Sequence, residues 1–179
     1  LYRKLVSLFH LSLVFVTKKL AGIILNNEMN DFSIPNVTNA FGFVPSPMNF
    51  IRPGKRPLSS ITPVIAEYPD GSLYISTGAA GGSRIITATI QALWHVLDHG
   101  MTMPESLLQP RLHDQLLPNV VSFEYTFDNE TAAFMKERGH NVTWVGLGQS
   151  AVQGVRRLRN GTFEAAGEPR QKNSGGFAI

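Results

Sequence analysis

The stretch TGAAGGSRI, Thr77 to Ile85, constrains this chain more than any other: it ends a strand, turns on small residues and opens a helix. Ahead of it, ITPVIAEY and SLYISTG read as two strands joined by Pro69-Asp70-Gly71, a hairpin turn signal. Behind it, Ser83 is placed to cap a helix whose apolar stripe is Ile86, Ile90, Leu93 and Leu97, with Gly100 as its stop. A second helix is expected from near Pro104 and must break before Pro110. A third is expected over about Thr131 to Arg138, ended by Gly139. NVTWVG and SAVQGVRRLR read as further strands, and Asn160-Gly161 as a two-residue hairpin turn into TFEAA. No repeat is visible. The class is α/β or α+β, with antiparallel hairpins on a layered sheet.

Composition narrows the chemistry. The 179 residues are 43% hydrophobic, enough for one medium domain with a core. A net charge of +3 is far from the dense basic face of a nucleic-acid binder, so no nucleic-acid partner is expected. The absence of cysteine excludes disulfides, thiolate metal sites and a cysteine nucleophile. His95 and His99 have the i, i+4 spacing of a metal pair, but no zincin glutamate stands between them, so a place on a helix surface or at its end is expected. No metal or cofactor is expected. Four N-glycosylation acceptors, at Asn36, Asn129, Asn141 and Asn160, point to the secretory pathway, with an extracellular, cell-surface or vacuolar destination. Residues 1–20 form a divergent segment in which basic residues flank an apolar run from Leu5 to Thr17; a buried element or a targeting or anchor segment both fit it. Residues 21–179 form the domain proper. Within it, residues 33–58 carry five prolines and read as a long loop of the kind that serves function.

Three stretches could carry chemistry. In GIILNNEMNDF, Glu28 and Asp31 stand three apart; they could be surface charges, an acid–base pair, a metal site lacking further ligands, or acceptors for a substrate ammonium. In KRPLSSITP, Ser59 and Ser60 could hold a carboxylate by two hydroxyls, while a nucleophilic serine lacks the Gly-x-Ser-x-Gly elbow. In TGAAGGSRI, Gly81 and Gly82 leave backbone N–H groups open beside a helix N-terminus, suiting a phosphate, a carboxylate or a developing oxyanion; a purely structural turn fits as well. Taken together, acids for an amine, hydroxyls for a carboxylate and amides for an oxyanion describe one ligand with an amino-acid head and a distant acyl carbon. A γ-glutamyl group fits that description.

The stretches GIILNNEMNDFS, PSPMNFIRPGKRPLSSITPVI, STGAAGGSRI and PRLHDQLLPN resemble the small, C-terminal subunit of the γ-glutamyltransferase (glutathione hydrolase) family, from about Gly22 to Ile179. The resemblance implies an α+β, N-terminal nucleophile hydrolase αββα sandwich, here incomplete as the small-subunit portion only. It implies self-cleavage of a precursor, a threonine exposed at the small subunit's N-terminus, and transfer of the γ-glutamyl group to water, an amino acid or a peptide. By motif, Glu28 and Asp31 would bind the substrate ammonium, with Asn26 or Asn27 shaping their loop. Ser59 and Ser60 would bind the α-carboxylate, and the backbone of Gly81 and Gly82 would form the oxyanion hole. Arg111 is expected to be structural. The implied partners are glutathione and other γ-glutamyl compounds and the large subunit of the same precursor.

The chain departs from the family in two places. Asn30 stands where many members carry aspartate. No threonine in a matching strand precedes Glu28; Thr17 has the wrong surroundings. The expectation is therefore a chain that supplies binding and oxyanion groups but not the nucleophile, and that is inactive alone. The alternative is a non-catalytic relative that binds γ-glutamyl compounds or pairs with a large subunit; a serine hydrolase using Ser59 or Ser60 is a third, weaker reading.

Overall fold

A computed structural model describes residues 26–178. The expectations for residues 1–20 lie outside the described residues. The chain divides into two compact units, residues 1–59 and residues 60–179.

The described part of the first unit is the expected proline-rich loop, and side chains rather than a sheet organise it. Two 3-10 turns, Glu28–Asp31 and Pro47–Asn49, are linked by a parallel bridge between Ser33 and Phe50. Asn39 closes a tight bend by accepting the N–H groups of Phe41 and Phe43, both at 3.0 Å. Phe32 is the buried apolar anchor, and the Lys55 ammonium lies 5.7 Å from its ring centroid. A long loop needs such pairing because its backbone polar groups otherwise have only water.

The second unit holds two sheets. The larger is antiparallel, built from β1 (Val64–Glu67), β2 (Leu73–Ala80), β6 (Ala151–Arg157) and β7 (Phe163–Ala166) in the order β1-β2-β6-β7. Helices α1 (Arg84–Leu97) and α2 (Met103–Leu108) pack on it. Ile75, Val152 and Ala166 from the strands meet Ala88, Ala92, Val96, Met103 and Leu107 from the helices to form the main core. Gly154 sits opposite Met103; a Cβ there would lie 2.6 Å from the methionine methyl, so the strand is thin where the helix inserts. The smaller sheet has the order β3-β4-β5, from β3 (Leu112–His113), β4 (Val121–Glu124) and β5 (Val142–Val145). Helix α3 (Asn129–Glu137) crosses between β4 and β5, and Val121, Phe123 and Ala132 form a second core.

Three local expectations need correction. The buried face of α1 is not the expected stripe: Ala88, Thr89, Ala92 and Val96 are buried and Leu93 only borders the core, while Ile86, Ile90 and Leu97 are exposed. Close approach of helix to sheet selects small residues inside and leaves the large ones outside. The turn after β6 spans three residues, not two: Leu158 N–H donates to Thr162 and Gly161 N–H donates back to Leu158, with Gly161 at φ 91°. That is a turn closed by a glycine bulge. Strands β3 and β4 were not anticipated, and β4 pairs parallel with β5, so the hairpins are not the whole sheet pattern.

Helix α2 begins as expected. Thr102 and Glu105 form a reciprocal capping box, with the Thr102 N–H donating to Glu105 Oε2 at 2.8 Å. Gly100 and Gly139 take left-handed φ values of 67° and 87° beyond the ends of α1 and α3.

Candidate functional site

The candidate residues fall in both units. Asn26, Glu28, Asp31 and Ser59 lie in the first; Ser60, Gly81 and Gly82 lie in the second.

In the first unit the sequence NNEMND folds as a 3-10 turn because Asn26 turns back on itself: its Oδ1 accepts the Glu28 N–H at 3.2 Å. The turn places Glu28 and Asp31 near enough to sense each other. Partial desolvation first, and the Glu28 carboxylate second, hold the Asp31 carboxyl above its ordinary value. Two exposed carboxylates that repel one another are a favourable seat for a cation, since an ammonium relieves the repulsion. Neither is neutralised by an ion pair among the described residues.

Asn49 was not singled out in the sequence, yet it organises this unit. Its Nδ2 donates to the Asp31 carbonyl at 2.7 Å and to Ser33 Oγ at 3.3 Å, while its Oδ1 accepts the Leu58 N–H at 2.8 Å. Leu58 is the immediate neighbour of Ser59. The structure thus brings the Asp31 turn and the segment entering Ser59 together through one amide. Ser59 is exposed.

In the second unit Ser60 is half-buried and its carbonyl accepts the Thr62 hydroxyl at 2.8 Å, ahead of β1. Beyond β2, Gly81 and Gly82 take φ values of 136° and 61°, both in the region that favours glycine. A Cβ on Gly81 would come within 2.8 Å of the Gln149 carbonyl, so no other residue fits the turn without moving backbone. The turn delivers the chain into α1, fourteen residues long, whose N-terminal field favours negative charge. Ser83 does not cap it: its backbone is already helical and its buried Oγ has no hydrogen-bond partner among the described residues.

Beside this turn a cavity of about 20 Å³ is lined by residues that include Arg84, Thr87, Arg111, His113, Gln149 and Ser150, room for about one water. His113 lies between Thr87 Oγ1 at 2.8 Å and Gln115 Oε1 at 2.9 Å. Gln115 is oriented by its own donation to the Leu117 carbonyl, so it presents an acceptor, and His113 Nε2 carries the proton. Burial holds the His113 imidazole below its ordinary value, which fits that neutral form. Arg111 is buried, borders the same cavity and pairs with Glu168 at 2.8 Å. His95 packs at a tilt and His99 edge-on against Trp94 at the end of α1, and among the described residues no cluster of three or more metal-ligating side chains occurs.

A sequence profile for Gamma-glutamyltranspeptidase matches residues 13–178. The chain belongs to the gamma-glutamyltranspeptidase family. It is 58% identical over 158 residues to a glutathione hydrolase proenzyme of Arthroderma benhamiae, and 47% identical over 156 residues to a glutathione hydrolase of Aspergillus flavus. These alignments cover 88% and 87% of this chain but only 27% and 26% of the relatives, so the chain spans about a quarter of their length. Among solved structures it resembles the T380A mutant of Helicobacter pylori gamma-glutamyltranspeptidase, with 33% identity, a TM-score of 0.77, and coverage of 86% of this chain and 84% of that one. It also resembles gamma-glutamyltranspeptidase from Pseudomonas nitroreducens complexed with L-DON, with 37% identity, a TM-score of 0.76, and coverage of 88% and 82%. The fold is therefore the α+β fold of the N-terminal nucleophile hydrolases, as the sequence motifs implied.

Proposed function

We propose that this chain is the substrate-binding, small-subunit portion of an enzyme that cleaves γ-glutamyl amides, glutathione among them. The observation that carries the reading is the co-occurrence, in a chain of this family, of a carboxylate pair on a tight turn with a double-glycine turn at a helix N-terminus. Glu28 and Asp31 would take the substrate ammonium, with Asn26 shaping their turn. Ser59 and Ser60 would take the α-carboxylate. The N–H groups of Gly81 and Gly82 would stabilise the oxyanion that forms when a threonine hydroxyl adds to the γ-carbonyl. Collapse of that intermediate breaks the amide bond and protonates the departing amine. The resulting threonine ester is then cleaved by water or by the amine of an acceptor amino acid or peptide. That threonine and the large subunit would come from the remainder of the gene product, and the chain alone would not turn over substrate.

The test is an assay of the product of the complete gene with γ-glutamyl-p-nitroanilide and with glutathione. Asp31→Ala should raise KM strongly, because the bound ammonium loses its acceptor. Gly81→Ala should lower kcat by roughly a hundredfold or more, because its Cβ would meet the Gln149 carbonyl and push the turn's N–H groups away from the oxyanion. An Asp31→Ala enzyme with unchanged KM would remove the ammonium-clamp assignment. A second reading, a non-catalytic binding relative, is favoured by one observation: the chain is 50% identical over 105 residues to a putative inactive glutathione hydrolase 4 of Arabidopsis thaliana. On that reading the native product binds L-glutamate and forms no acyl-enzyme. Passage through the secretory pathway is part of the proposal; the asparagines of all four glycosylation motifs are exposed, and a mobility shift on treatment with an N-glycosidase tests it.

A further inference from the structure

The head of a γ-glutamyl group is a zwitterion, and two charged ends are gripped well only if their receptors keep a fixed separation. We propose that Asn49 sets that separation, as a positioning residue that ties the ammonium-binding turn to the serine that holds the carboxylate. The proposal rests on the γ-glutamyl reading above. Asn49 ends the turn Pro47–Asn49, and its own N–H is held by the Ser46 carbonyl at 2.9 Å. Its carbonyl accepts the Ser33 N–H at 3.0 Å. Its side chain then spends both donors in one direction, on Asp31 O and Ser33 Oγ, and its acceptor in the other, on Leu58 N–H. The amide cannot be flipped, because that would set oxygen against the Asp31 carbonyl and NH₂ against the Leu58 N–H. The partners lie 18, 16 and 9 residues away along the chain, so this is a clasp between segments and not a local turn. Asp31 is itself in the clasp, and Ser59 is one Cα step, about 3.8 Å, beyond Leu58. Aspartate has the shape but no donors; glutamine has the donors but an extra methylene. Of the two obvious relatives, neither replaces asparagine.

The experiment uses the product of the complete gene and three anilides. γ-Glutamyl-p-nitroanilide engages both ends, glutaryl-p-nitroanilide lacks the amine, and 4-aminobutyryl-p-nitroanilide lacks the carboxylate. Preference of the unmodified protein for the two-ended substrate tests the γ-glutamyl reading alone. The Asn49→Asp variant tests the clasp: its preference for the two-ended over either single-ended substrate should fall about tenfold or more, mainly through KM, as loss of two hydrogen bonds implies. A general folding defect lowers all three rates together and leaves the preference unchanged, which would overturn the proposal, as would an unchanged variant. If Asn49→Asp yields no folded protein, Leu58→Pro, which removes the N–H on the far side of the clasp and also fixes φ there, should show the same loss of preference. If the native product does not turn over, competition among L-glutamate, glutarate and 4-aminobutyrate for binding gives the same comparison.

Discussion

Glu168 has no exposed surface and carries a charge, so its partners decide whether the second unit is stable. Its Oε2 accepts Arg111 Nη1 at 2.8 Å and the Val152 N–H at 2.7 Å; its Oε1 accepts Arg170 Nη1 at 3.1 Å. Arg170 continues to Glu124 at 2.7 Å and donates to the carbonyls of Leu107 and Gln109. Two arginines and two glutamates balance, and the network joins α2, both sheets and the C-terminal segment. Glu168→Gln keeps the shape and removes the charge, leaving buried Arg111 underpaired. The expected cost is about 3–5 kcal/mol, read from the urea midpoint; a cost below about 1 kcal/mol, within the range of ordinary surface changes, would mean the network is not what holds these segments. The histidines set a different dependence. Burial holds both His113 and His95 below their ordinary value. The unfolded chain therefore binds more protons than the folded one just below the unfolded value of about 6.5, and stability must fall as pH drops from about 7 towards 5. Replacing both by glutamine should flatten that slope. A slope that survives would place its origin in other groups.

At the scale of elements, what was legible followed from short range. The helix stops at Gly100 and Gly139 and the Gly71 turn depend on residues within a few positions of one another, so the chain announces them; the Thr102–Glu105 capping box, equally local, was seen only in the structure. The face of α1 was not legible, because both faces are apolar: Ala88, Ala92 and Val96 inside, Ile86, Ile90 and Trp94 outside, and periodicity alone favours the larger set. Strand β4 was missed because all four of its residues are buried, so no in-out alternation marks it, and Asn49 because its partners lie in a loop without period. Gly81 and Gly82 take the positive φ of the tight turn that their sequence allowed, while the 3-10 turn under Glu28 and Asp31 was not read from the sequence. The close helix–sheet approach gives a prediction. Gly154→Ala puts a methyl into Met103, which is fully buried and must shift, at a cost of about 1–3 kcal/mol. The double variant with Met103→Ala should lose less than the sum of the two single variants. Additive losses in the urea midpoints of the two single variants and the double would show that the two residues do not meet.

For the whole molecule, the outer face of α1 carries the decisive physical fact. Ile86, Ile90, Trp94 and Leu97 are 43%, 56%, 50% and 50% exposed and recur along one side of the helix. Single exposed apolar residues mean little, but a row of four on one helix marks a surface that works when covered. Covering the exposed halves contributes about 4 kcal/mol, close to a thousandfold in association. Under the proposed function, the cover would be the remainder of the same gene product, since the relatives are nearly four times as long as the aligned segment. Expressed alone, this chain should self-associate, and light scattering after size exclusion should show species larger than 19.7 kDa. Replacing Ile90 and Trp94 with lysine should shift the isolated chain towards monomer. The same pair of changes in the complete gene product should lower the yield of assembled protein, because the charge would be buried in the interface. The two effects must run in opposite directions: a general gain or a general loss of solubility in both contexts would mean that this face is ordinary surface.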